Sequence, residues 1–216
     1  MFTVSTTRPK LENFLKISPI TTKSKRLRLR PLEERDLEAY WAIACDGKTM
    51  ARFWNRPEPH NPYNNTSYAL QDMLEPIGQG LEKLVSFGIF LLHGEVEELI
   101  GRGGVQMSKG TWPSAWYFIE KKSWDKGYIT EFLKELLEYW WGLEREDVKV
   151  DMYNELSSLE FVSSDSTKAK EVLCAWPSPS NGASQRVLEK NGFKRCETPL
   201  HEKHQDNQFW FYTKKD

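Results

Sequence analysis

The chain lacks the features that would tie it to a membrane, an oxidising compartment or a nucleic acid. No apolar run approaches the roughly 20 residues that a membrane span requires. The opening residues, MFTVSTTRPK, hold no apolar core of the signal-peptide kind. Cysteine is sparse: Cys45, Cys174 and Cys196 are an odd number without metal-type spacing. That usage suits a reducing compartment and predicts a cytoplasmic protein. The overlapping sequons at Asn64 and Asn65 then carry no glycosylation signal. Charge of one sign is missing too, because 30 Lys and Arg face 31 Asp and Glu for a net charge of -1. A protein that binds nucleic acid non-specifically usually shows a basic surplus, so none is expected as a partner. Histidine is scarce, and the one close pair, His201 and His204, has no third ligand in view, so no metal is expected.

What is present is apolar periodicity. At 216 residues the chain fits one domain, or one domain with extensions. Residues 1–24 are polar and without sustained period, and read as a loosely packed extension ahead of a domain over 25–216. LRLRPL (27–32) alternates as a half-buried strand, and 34–45 carries one helical face with Leu37, Tyr40, Trp41 and Ala44. A loop over 53–66, punctuated by three prolines, precedes a second helical pattern at 67–77. Strands at 84–92 and 98–107 are joined by the acidic turn HGEVE, and AWYFIE (115–120) follows. The glycines of GRGG mark a bulge or a close backbone approach. Next comes the longest amphipathic segment, with Ile129, Phe132, Leu133, Leu136, Leu137, Trp140 and Trp141 on one face. Later strands fall at 148–153, 171–176 and 208–213, and a helix at 181–191 closes on Asn-Gly-Phe. Nine tryptophans suit either core filling or an aromatic-walled pocket.

The long helix begins after a polar turn at Trp124-Asp125-Lys126-Gly127-Tyr128-Ile129-Thr130 that follows a buried strand. A strand, a tight turn and a helix start expose backbone N–H groups beside the positive end of the helix dipole, a ready site for a phosphate. Taken with NGASQRVLEKNGF further on, WDKGYITE resembles the GNAT family of acyl-CoA-dependent N-acyltransferases. The likeness is greatest to the branch that acetylates ribosomal proteins and many small amines. KRLRLRPLEERDLEAYWAI matches that branch's first strand and helix, and the resemblance runs from about Lys25 to Tyr212, with 144–169 standing outside it as an insertion.

The resemblance implies an α/β (α+β) GNAT fold: a mixed, twisted sheet of six to seven strands flanked by about four helices, splaying near the turn. It implies acetyl-CoA as cofactor and an amine-bearing small molecule or peptide N-terminus as acceptor, in a monomer or homodimer. Residues 124–130 would cradle the pyrophosphate. Only Gly127 keeps the family's glycine pattern; Asp125 replaces a glycine and also suits a helix N-cap. Asn181 would orient the pantetheine arm, or simply cap its helix. Ser184 would sit near the thioester sulfur and assist the departing thiolate. The branch often carries a base at the position held here by Ser114; Glu120, later on the same strand, is the candidate in this chain. Two other readings share these residues. One is a coenzyme-binding module without catalysis, favoured by the altered turn. The other is CoA-independent chemistry on a hydrophobic small molecule.

Overall fold

The computed structural model describes residues 2–10, 12, 17–54, 81–108, 112–152, 157, 159–197 and 208–214. The proline-punctuated loop beyond Trp54, the helical pattern at 67–77 and the pair His201 and His204 lie outside these residues.

Ten strands and four helices are described. β1 is Phe2–Pro9, β2 Ile20–Thr21 and β3 Leu27–Arg30; α1 is Leu37–Ala44 and α2 Gly47–Trp54. β4 (Leu81–His93), β5 (Val96–Ser108) and β6 (Ser114–Ile119) lead to α3 (Tyr128–Gly142). β7 (Arg145–Met152), β8 (Val172–Ala175), α4 (Gly182–Lys190), β9 (Lys194–Arg195) and β10 (Trp210–Thr213) complete the order. The main sheet runs β2-β3-β4-β5-β6-β8-β10-β9, while β1 and β7 form a separate ribbon. Two of the eight main strands, β2 and β9, are two residues long, and the six others account for the expected sheet. β6 and β8 are parallel and every other pairing is antiparallel.

α3 is the packing centre. Ile129, Phe132, Leu133, Leu136, Leu137 and Trp140 are buried as the periodicity predicts, while Trp141 is half-buried. Each such apolar side chain contributes about 1.5–3 kcal/mol on burial. The helix lies close on β5: a Cβ at Gly103 would stand 2.6 Å from the Phe132 ring, so a side chain there would push α3 away. The GRGG segment thus provides the close approach, and the β4–β5 register also shifts beside it, between Ile89 and Phe90.

The opposite face of the sheet is covered in two parts. α1 packs Tyr40, Ile43 and Ala44 against Phe90, Leu99 and Phe118. The β1–β7 ribbon closes a second cluster that holds Val4, Trp112, Val150, Met152, Phe161, Cys174 and Phe211. β8 lies between clusters: Leu173 and Ala175 join the α3 core, and Val172 and Cys174 join the ribbon's. A strand buried on both faces reads as a continuous apolar run, which VLCA is.

Two expectations are corrected, and one element is unforeseen. Residues 2–9 are no loose extension but a strand paired residue for residue with β7, from Phe2 with Met152 to Pro9 with Arg145. Its inward positions include Thr6 beside Val4, so the alternation is invisible in a hydrophobicity pattern. Ser5 also bonds backbone to backbone with Thr167 and Ala169, so the two stretches outside the resemblance hold each other. α2 is not foreseen at all; Asp46 starts it, with the Thr49 N–H and hydroxyl both donating to Oδ2 at 2.8 and 2.5 Å. Arg30, placed outward by alternation, is buried: Nη1 and Nη2 donate to Asp36 at 2.6 and 2.9 Å, and its guanidinium lies 3.8 Å from the Phe90 ring centre.

Candidate functional site

β6 and β8 pair only at Ser114 and Cys174, with Cys174 N–H donating to Pro113 O at 2.8 Å. Beyond that point β6 has no further pairing with β8, and a cavity of about 220 Å³ lies beside its later residues. Its walls come from Tyr117 to Ile119 on β6, the turn into α3 and one face of α4, with Thr49 of α2 reaching it.

The turn is built from backbone geometry. Gly127 is the N-cap of α3 at φ 80°, a left-handed conformation that glycine adopts at little cost, and no side chain caps the helix. Its carbonyl accepts the first helical bond, from Glu131 N–H at 3.1 Å. The reading of Asp125 as N-cap is therefore corrected: the helix starts two residues later. Asp125 instead stands at φ 59° and lines the cavity. Trp124 is pinned by its Nε1 donating to Ile119 O at 2.8 Å. Arg26, which precedes β3, braces the turn from outside. It donates to Glu131 Oε2 at 2.6 Å through Nη2 and to Lys126 O at 3.4 Å through Nη1, and lies 5.1 Å from the Tyr128 ring centre. Thr22 and Ser24 also donate to Glu131. Burial pushes the Glu131 carboxyl up, but these donors together outweigh it and hold the group below its ordinary value.

The other wall is α4. Asn181 is its N-cap, with Oδ1 accepting from Ser184 N–H at 3.2 Å. Asn191, Gly192 and Phe193 end the helix through bonds from Gly192 N–H to Glu189 O and from Phe193 N–H to Leu188 O, both at 3.0 Å. Ser184 lies in the first turn, and its Oγ meets the Tyr117 hydroxyl at 2.7 Å, linking α4 to β6 across the cavity wall. Burial pushes the Tyr117 phenol up to about 12 against a small opposing effect of Ser184, so it stays protonated at neutral pH.

The structure brings together Trp124, Asp125, Gly127, Tyr128, Ile129, Thr130, Asn181 and Ser184 around one cavity. Lys126 belongs to the turn and its carbonyl accepts from Arg26, but it does not line the cavity. Glu120 is also outside the lining: it accepts from Ser123 Oγ at 3.0 Å and pairs with Lys122 at 3.4 Å. Sequence reading missed Arg186 and Lys190, which reach the cavity from α4, and Arg26 behind the turn. Spacings of three and four from Ala183 would have placed Arg186, Val187 and Lys190 on the cavity face. Nothing local singles out Arg26, whose role depends on a partner 105 residues away.

Two cations, one carboxylate, a helix N-terminus and a half-apolar wall fit an elongated ligand with phosphates at one end. Among the described residues no group of His, Cys, Asp and Glu could hold a metal ion, and no helix is long and apolar enough to cross a membrane. The chain resembles an acetyltransferase from Agrobacterium tumefaciens at 19% identity, with 92% of this chain and 96% of that one covered and a TM-score of 0.58. It resembles a spermidine N-acetyltransferase from Vibrio cholerae, solved with CoA and spermine, at 15% identity, 87% and 95% coverage and a TM-score of 0.54. A ribosomal-protein-serine acetyltransferase-like protein from Vibrio cholerae gives 17% identity, 91% and 98% coverage and a TM-score of 0.52. At such identities these likenesses speak for the fold alone. No curated protein matches the chain in sequence. The family model of the acetyltransferase (GNAT) domain matches residues 26–194, which spans both the turn and α4, and the chain belongs to the GNAT acetyltransferase family.

Proposed function

We propose that the protein is an acetyl-CoA-dependent N-acetyltransferase that moves an acetyl group directly to an amine, on a small molecule or a peptide N-terminus. The observation that carries this reading is the cavity at the β6–β8 divergence, bounded by the left-handed Gly127 turn and by Ser184. The coenzyme supplies an acyl group activated as a thioester. The N–H groups at the start of α3 bind pyrophosphate, and Arg186 and Lys190 offset phosphate charge. Asn181 keeps the first turn of α4 in place and presents Ser184, whose hydroxyl donates to the sulfur as negative charge develops there. Tyr117, Phe118 and Ile119 exclude water along one side. The acceptor's proton passes to a water or to a carboxylate, for which Glu120 would have to leave Ser123 and Lys122.

Calorimetric titration with acetyl-CoA, with CoA as control, tests the cofactor. Micromolar binding is expected, and no binding at millimolar ligand would overturn the assignment. A panel of primary amines that includes spermine then tests transfer through CoA release. Ser184→Ala should lower turnover about tenfold or more while leaving coenzyme affinity within a few-fold, since its bond forms mainly in the transition state. A second reading, a coenzyme-binding module without transfer, is favoured by one observation. Asp125 is the only carboxylate in the cavity lining among the described residues, and it belongs to the turn expected to hold pyrophosphate. Tight coenzyme binding with no CoA release across the panel would select it.

A further inference from the structure

We infer that Tyr117 is a positioning residue for the sulfur end of the site, acting through Ser184; this rests on the coenzyme reading above. A serine hydroxyl has one proton and a freely rotating O–H, so by itself it aims at any acceptor within reach. Ser184 is not left free. Its oxygen lies 2.7 Å from the Tyr117 hydroxyl, on a side chain fixed by the β6 pairing with β5, where Tyr117 stands opposite Gly103. Tyr117 is half-buried against the α3 core, and both residues line the cavity.

The direction of that bond follows from what each group can do. A phenol is the stronger acid of the two and the better donor, and Tyr117 keeps its proton throughout the working pH range. When Tyr117 donates to Ser184 Oγ, the serine's own proton is turned away from the phenol and into the cavity. The donated bond also polarises the serine O–H, as happens along any chain of hydrogen bonds in a poorly solvated site. The pair is then a two-member donor chain that ends on a sulfur placed at the cavity. No proton needs to leave either residue. In the transfer the amine nitrogen bonds to the acyl carbon, the carbon–sulfur bond breaks, and its electron pair stays on sulfur under the Ser184 hydrogen bond. Water later supplies the proton that converts thiolate to thiol, and the acceptor's proton leaves to solvent.

The same arrangement must lower the pKa of the free CoA thiol when it is bound, and that quantity needs no acceptor. It is read from the ultraviolet absorbance of the thiolate in complexes with CoA, with complexes of desulfo-CoA subtracted to remove tyrosinate signal. The wild-type protein should hold the thiol about one pKa unit below its value in solution, the size expected for a hydrogen bond to a charged group. Tyr117→Phe and Ser184→Ala should each return most of that shift. The double variant should go no further than Ser184→Ala, because Tyr117 acts only through the serine. Calorimetry with CoA should show all four proteins binding within a few-fold of each other. If Ser184→Ala moves the thiol pKa and Tyr117→Phe does not, the role of Tyr117 is overturned and that of Ser184 stands. A double variant that shifts further than Ser184→Ala would mean that Tyr117 reaches the sulfur directly, which also overturns the inference. A wild-type thiol at its solution value removes both residues from the sulfur site. Failure of the wild-type protein to bind CoA overturns the coenzyme reading and this inference with it.

Discussion

Asp125 is the residue at which local conformation and expected ligand pull apart. It occupies the left-handed region at φ 59°, which costs a non-glycine residue about 1 kcal/mol or more, and it carries a negative charge into the lining of a site expected to hold pyrophosphate. At about 6 Å and an effective dielectric of about 40, one unit charge disfavours another by roughly 1.4 kcal/mol. Asp125→Gly should therefore tighten acetyl-CoA about tenfold in calorimetry at low salt, and the gain should shrink as salt is raised. Gly127 is the converse case. At φ 80° a Gly127→Val change forces a β-branched residue into the same region, and the turn is expected to reorganise. Acetyl-CoA binding should fall below detection while the far-ultraviolet spectrum stays native. A variant that still bound at micromolar ligand would show that the turn is not the cradle.

Between elements, the joint that matters is the one that ties residues 22–26 to the first turn of α3. Glu131 accepts from Thr22, Ser24 and Arg26 at once, and Arg26 reaches on to the Lys126 carbonyl. The peptide planes of the turn are thus held by residues just ahead of β3, about 100 positions before the turn in the chain. Glu131→Gln keeps the shape and removes the charge, and should weaken acetyl-CoA about three- to tenfold through a looser turn. The pH dependence follows from the same group. Because its carboxyl is held below the ordinary value in the folded protein, its stabilising effect is present at neutral pH and is lost as pH falls through that lowered value. Asp36 behaves in the same way: burial raises it, but Arg30 and the Glu33 N–H lower it further. Chemical denaturation measured from neutral to acidic pH should show stability falling, with a shallower decline in Glu131→Gln.

The elements themselves were legible where their signals are local. α3 was readable because its apolar face repeats over fifteen residues, and α4 because Asn181 and the Asn-Gly-Phe ending mark both of its limits. α2 was not, since its start depends on Asp46 bonding to Thr49 and its eight residues sit next to a run of prolines. The candidate site was legible as two motifs in the right order. Its linking contact, Tyr117 to Ser184, was not, because a hydrogen bond between positions 67 residues apart leaves no periodic trace.

At the scale of the whole molecule, the β1–β7 ribbon and the buried group beneath it set what truncation does. Glu171 accepts from Thr7 at 2.9 Å, from Arg145 at 2.9 Å and from Trp140 Nε1 at 3.1 Å, joining β1, β7 and α3. Burial raises the Glu171 carboxyl against the lowering effect of Arg145 and these bonds, so its contribution has the opposite sign to that of Glu131. The stability it gives is fully present below the ordinary glutamate range and declines as pH rises through the raised value. Removing residues 1–10 deletes Thr7 and uncovers the Val150 and Met152 side of the ribbon's core. Thermal unfolding should then move down by several degrees or more, whereas acetyl-CoA affinity at low temperature should stay within a few-fold of the intact chain, because none of the described residues among those ten lines the cavity.

The ribbon also dictates an order of events in folding. Thr3 meets Asp151 148 residues on, and Arg8 meets Glu146 138 residues on. During synthesis β1 leaves the ribosome long before its partner exists. It must stay unpaired while the β3–β4–β5–β6 meander and α3 assemble behind it. Contacts of such separation close late and slowly, and until they do the inner edge of the strand is open to other chains. β1 thus waits until β7 has been made, and α4, the last wall of the cavity, follows β7 in the chain.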